Sequence, residues 1–194
     1  GVSKRLPVPV DAIRNIQRAC ANIDDDCRWL VALVSDTGLR LSEAAGLRLS
    51  DINLDAPVPH VVVEGNQYRG LKTRGSERKV PLVGASLWAA QQILAYSDEQ
   101  SSQVAAFPRY TRGGFAQANS ASAALNKWLR PYVPKGCTMH SFRHAMRDRL
   151  RAVDCPSEMI DQIGGWAHVS VGQGYGSGHP LENLQRYLDA IVLR

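Results

Sequence analysis

Three β-branched runs lie close together in one stretch of the chain, and helical patterning lies on both sides of them. They are Ile52-Asn53-Leu54, His60-Val61-Val62-Val63-Glu64 and Lys79-Val80-Pro81-Leu82, separated by Gly, Pro and Asp. Runs this short with such separators suggest a small antiparallel sheet. Before the sheet, residues 8–22 become helical after Asp11, read as the N-cap. Residues 27–36 form a buried helix that stops at Thr37-Gly38, and Ser42-Glu43 opens a short helix through Leu47. After the sheet the pattern is helical at Leu87–Tyr96, Asn119–Leu129, His140–Ala152 and Ser157–Ile163. Glycine breaks fall at Gly113-Gly114 and across Gly172–Gly178. The expected fold is α+β, mainly α, with one three-stranded antiparallel edge sheet, and residues 1–194 form a single domain.

The 194 residues can bury one sizeable core, and 44% hydrophobic with 21% charged residues fits a globular chain rather than a disordered one. The net charge of +5 allows an anionic partner, and the basic residues gather in Arg69–Lys79 and Arg143–Arg151, as a DNA footprint would. The cysteines, Cys20, Cys27, Cys137 and Cys155, show neither CxxC nor zinc-finger spacing, which suits a reduced, cytosolic protein. No apolar run reaches the roughly 20 residues a membrane helix needs. A start at Gly1-Val2-Ser3 without methionine is expected of a fragment of a longer chain.

Four blocks carry candidate chemistry. In Thr37-Gly38-Leu39-Arg40-Leu41-Ser42-Glu43, a Gly-ended helix places Arg40 at a helix–helix junction, with Glu43 close enough to orient a neighbouring cation. In Lys72-Thr73-Arg74-Gly75-Ser76-Glu77-Arg78-Lys79, a hairpin lysine could reach a leaving oxygen. In His140-Ser141-Phe142-Arg143-His144, His140 and Arg143 share a helix face and could meet one phosphate, where the guanidinium fork donates two parallel bonds. A zinc reading of His140 with His144 lacks both a HExxH glutamate and a third ligand. In Gly164-Gly165-Trp166-Ala167-His168, followed by Tyr175, an aromatic sits tight against glycines ahead of a tyrosine. Each block alone also has a plain structural reading: a surface arginine, a solvated hairpin, a packing tyrosine.

In this order, the Arg of TGLRLSE, a hairpin Lys, HxxR, Gly-Trp and a Tyr nine positions later, the set resembles the tyrosine recombinase (phage integrase) family from the helix before Arg40 to Tyr175. The resemblance implies a catalytic domain whose Arg40 and Arg143 clamp phosphate and whose Lys72 is the hairpin lysine. It makes His140 the HxxR histidine, Trp166 the residue most often histidine, Tyr175 the nucleophile and Glu43 an acidic buttress. Tryptophan can donate a hydrogen bond but cannot shuttle a proton, so Trp166 is expected to pack and to donate. His168 is set aside because the spacing to Tyr175 favours Trp166. Glycine costs about 1 kcal/mol per helical position, so Val171-Gly172-Gln173-Gly174 predicts a loop or frayed helix when DNA is absent. Delivery of Tyr175, within its own subunit or to a neighbour, stays open.

The implied activity is site-specific recombination through a 3′-phosphotyrosyl intermediate, metal-independent and without cofactor. The implied partner is double-stranded DNA, with a homotetramer on DNA and a monomer when free. The setting is a phage or mobile element, with the protein cytoplasmic and nucleoid-associated. N-terminal DNA-binding domains are expected beyond this chain. The tail from Pro180 to Arg194, striped by Leu181, Leu184, Leu188 and Ile191, could dock on a neighbour or on its own domain. Three alternatives stand beside this reading. They are a type IB topoisomerase, which tends to have lysine in place of His140; a DNA-binding module that has lost catalysis; and a helical scaffold, which predicts no salt-sensitive DNA binding.

Overall fold

The computed structural model describes residues 6–70, 74–97, 102–166 and 178–194. The central element is α2 (Asp26–Thr37), whose residues from Trp29 to Thr37 are all buried. Asp25 caps its start by accepting from the Arg28 amide at 2.9 Å, and Gly38 ends it in the left-handed region at φ 71°. Against it lie α1 (Val10–Ile23), which buries Ile13, Ile16 and Cys20 at helical spacing, and α4 (Gly84–Ser97), which buries Ala89, Ala90 and Ile93. Pro9, not Asp11, holds the N-cap position of α1. Asp11 sits inside the first turn, where its carboxylate accepts from Arg14. Proline needs no amide partner there, and an acid in the first turn is favoured by the helix dipole.

The short α3 (Leu41–Ala45) leads into the sheet of β1 (Ile52–Asn53), β2 (His60–Val63) and β3 (Arg78–Pro81), antiparallel in the order β1-β2-β3. Val61 faces Ile52 on one side and Val80 on the other, while Val63 faces Arg78. Beyond it come α5 (Ala118–Leu129), α6 (Ser141–Ala152), α7 (Ser157–Gly164) and α8 (Leu181–Ala190). The fold is therefore mainly helical with one three-stranded antiparallel sheet. Among the described residues no helix is long and apolar enough to cross a membrane.

Two contacts fix how α6 and the C-terminal helix sit. Arg149 of α6 donates to Ser35 O, to Asp36 Oδ1 at 2.8 Å and to Ile191 O, while Asp36 Oδ2 accepts from the Ala85 amide. One buried ion pair thus ties α2, α4, α6 and the end of α8 together. Helix α8 packs on β3 of its own domain and buries Leu184, Leu188 and Ile191. Of the two places the tail's apolar stripe could dock, this structure shows the domain's own surface.

Candidate active site

The site is built around one buried carboxylate. Glu43, 1% exposed, lies in the first turn of α3, where its Oε1 accepts from the Arg40 amide at 2.8 Å. The same carboxylate accepts both terminal nitrogens of Arg78 from β3 at 2.8 Å each, a bidentate pair. Arg40 Nη1 lies 3.3 Å from Oε2 and Arg69 Nη2 lies 4.0 Å from it. Burial alone would raise the Glu43 carboxyl. The hydrogen bonds and charge of Arg78, with help from Arg40, override it and hold the group below the usual carboxylate range.

Arg40 and Arg143 are distant in sequence and meet at the end of α7. Arg40 Nη2 donates to Gly165 O at 3.1 Å across 125 residues of sequence, and Arg143 Nη1 donates to Gly164 O at 2.9 Å and to Gly38 O at 2.7 Å. Gly165 sits at φ 65°, a left-handed cap that turns the chain out of α7. Among the described residues both arginines keep donor hydrogens beyond these contacts. Arg143 is 3% exposed, and its guanidinium is pushed down to about 9, first by burial and then by the like charge of Arg40. A buried cation among other cations, short of counter-charge, is a place where a bound anion gains stability.

The remaining sequence-predicted residues divide in two. His140 stands exposed at the N-cap of α6, one turn before Arg143, with its ring edge-to-face against His144 at 5.4 Å between centroids. Trp166 follows α7, with the Arg143 guanidinium carbon 4.5 Å from its ring centroid. Lys72 and Tyr175 lie outside the described residues, as do His168 and Val171–Gly174. Among the described residues no three His, Cys, Asp or Glu side chains gather as metal ligands would.

Sequence reasoning missed three arginines at this site. Arg78 had a signal, since strand alternation puts it on the same inward face as Val80. Arg147 had one too, lying one helical turn beyond Arg143. Arg69 had none: its side chain crosses Gly46 to reach Glu43, a path set by tertiary packing.

Residues 9–179 match the phage integrase family, and the chain belongs to that family. It is similar to tyrosine recombinase XerC of Actinobacillus pleuropneumoniae, 27% identical over 89% of this chain and 55% of the relative. It is also similar to XerC of Haemophilus ducreyi, 27% identical over 90% of this chain and 56% of the relative. The chain thus spans about half the length of these curated relatives. In fold it resembles the Tn1549 transposon integrase in complex with a circular intermediate DNA (TM-score 0.66, 16% identity, 98% of this chain and 67% of the other). It also resembles XerA recombinase (TM-score 0.61, 17% identity, 98% and 62%).

Proposed function

We propose that this chain is the catalytic domain of a site-specific DNA recombinase that cleaves and rejoins strands through a 3′-phosphotyrosyl link. One observation carries the reading: Arg40 and Arg143, distant in sequence, are anchored on the adjacent carbonyls of Gly165 and Gly164. That is a rigid two-arginine clamp with donors left for one phosphate, braced from behind by Glu43 and Arg78. The XerC relatives and the DNA-bound Tn1549 integrase support carrying the activity and the DNA partner to this chain.

In this reading the Tyr175 Oη attacks the scissile phosphorus, forming the P–Oη bond as the bond to the deoxyribose 5′ oxygen breaks. Tyrosine has a reference pKa of about 10, so only about one phenol in a thousand is ionised at neutral pH and the site must assist the attack. Arg40 and Arg143 neutralise the non-bridging oxygens as charge builds in the transition state. His140 hydrogen-bonds the phosphate and takes up the tyrosine proton, while Lys72 gives its proton to the departing oxygen. Trp166 packs and donates only. A 5′ hydroxyl of a partner strand then attacks the phosphotyrosine in the reverse sense, restoring the phenol. The ester conserves the bond energy, so the reaction needs no nucleotide; Arg40, Arg143 and Lys72 supply the positive charge a metal ion would, and cleavage is expected to persist under chelation. The working assembly is four copies on DNA, formed from free monomers in the cytoplasm.

The test is a suicide duplex, nicked so that cleavage releases a short fragment and cannot reverse. The wild-type chain is expected to give a denaturation-resistant protein–DNA band that Tyr175→Phe does not. A band of equal strength from the phenylalanine variant would refute Tyr175 as nucleophile.

A further inference from the structure

Arg147, on the face of α6 that carries Arg143, has no part in the recombinase reading. Yet its guanidinium carbon lies 4.0 Å from the Trp166 ring centroid, nearer than that of Arg143 at 4.5 Å. The indole seat is also a built one. The Trp166 amide donates to Asp161 O at 2.9 Å, and a methyl group added at Gly164 would overlap the six-membered ring. The ring can occupy this place only because residue 164 has no side chain.

We propose that Arg147 is a positioning residue that clamps the Trp166 indole onto Arg143, and so sets the phosphate-binding guanidinium in place. The physical argument is one of charge. Arg143 is desolvated and faces Arg40, Arg78 and Arg147 as like charges, with the Glu43 carboxylate opposing them. Two cations one helical turn apart repel each other, and the electron-rich indole face attracts both, so the ring acts as the mediator between them. Removing the Arg147 charge gives up its attraction to the ring and relieves some repulsion on Arg143, so the two effects oppose each other and the change in stability is small. What the domain loses is the force that orients the indole, and with it the preorganisation of the clamp. A purely structural residue would show the opposite pattern.

The inference rests on the recombinase reading, and its test has one arm that does not. With the 194-residue chain and the suicide duplex, Arg147→Gln is expected to lower the cleavage rate at saturating DNA about tenfold, the worth of a well-formed cation–π contact. The dissociation constant for DNA should stay within about twofold and the thermal midpoint should shift by no more than about 4 °C. Arg147→Lys should recover part of the rate. In a Trp166→Ala background, Arg147→Gln should have no further effect. The independent arm uses protein carrying 5-fluorotryptophan at its four tryptophans. The 19F resonance that Trp166→Phe removes should shift in Arg147→Gln, while those of Trp29, Trp88 and Trp128 hold.

Weaker DNA binding with an unchanged saturated rate would make Arg147 a direct backbone contact and overturn the proposal. So would an equal rate loss with and without Trp166, or a Trp166 resonance that does not move. No covalent band from the wild-type chain would instead leave a chain that needs the N-terminal domains or a DNA-binding module without catalysis, which a longer chain carrying those domains separates, and the 19F arm would still decide whether Arg147 orients the indole.

Discussion

Replacing Glu43 tests the central electrostatic claim about this fold. The carboxylate is 1% exposed on its side chain and Arg78 is 2% exposed, so neither can recover water when its partner leaves. Glu43→Ala removes two charge-assisted hydrogen bonds of 2.8 Å from Arg78, at about 1.5–3 kcal/mol each. Breaking a buried ion pair by deleting one partner costs about 3–5 kcal/mol by direct comparison. The two estimates meet near 4 kcal/mol, which for a domain of this size is a fall of about 8–16 °C in Tm. Arg78→Met should cost a similar amount. Glu43→Ala with Arg78→Met should cost clearly less than the sum of these two single changes, with about 2 kcal/mol of coupling, because no uncompensated charge remains in that contact. Urea unfolding followed by far-ultraviolet circular dichroism, with thermal melts beside it, measures all four proteins. Single variants within about 1 kcal/mol of wild type, or strict additivity in the double, would refute the reasoning.

Three further outcomes are expected. Glu43 is held below its ordinary value of 4.5, so its stabilising charge is fully present above that pH and lost as pH falls through the lower folded value. The stability gap between wild type and Glu43→Gln should therefore be flat above about pH 5.5 and close on acidification, and a gap that widened in acid would reverse the assigned sign. Gly38→Ala places a methyl 2.9 Å from Met146 Cγ at φ 71°, and chemical denaturation should show a loss of about 1–3 kcal/mol. Burial pushes the Cys20 thiol up to about 12 and Cys155 up to about 11, so both should react slowly with a thiol reagent at pH 8. Mass-spectrometric mapping should place the early adducts on the half-buried Cys27 and Cys137.

The sequence by itself determined the main elements and singled out two arginines that the fold brings together. Residues 27–36 announce a buried helix by the continuous apolar run Trp29–Val34 and the stop at Thr37-Gly38, and α2 is that helix. The three β-branched runs announce strands by their side chains and separators, and they pair as an antiparallel sheet. Arg40 and Arg143 were legible as a pair because the order of the family's motifs restricts their place, and the fold sets both on the carbonyls at the end of α7. The first helix start was misplaced by two residues because both an acidic N-cap and an acidic first turn suit the helix dipole, and local sequence separates them poorly. Only the tertiary structure could decide which surface takes the apolar stripe of α8. A helix face specifies that it must be covered and not by what, and here β3 and the Arg149 bond to Ile191 O fix it. The same holds for the cluster at Glu43. That four arginines, Arg40, Arg69, Arg78 and Arg143, crowd one buried carboxylate depends on desolvation and on contacts between distant segments. Those energies do not exist in an extended chain, where water separates the same charges.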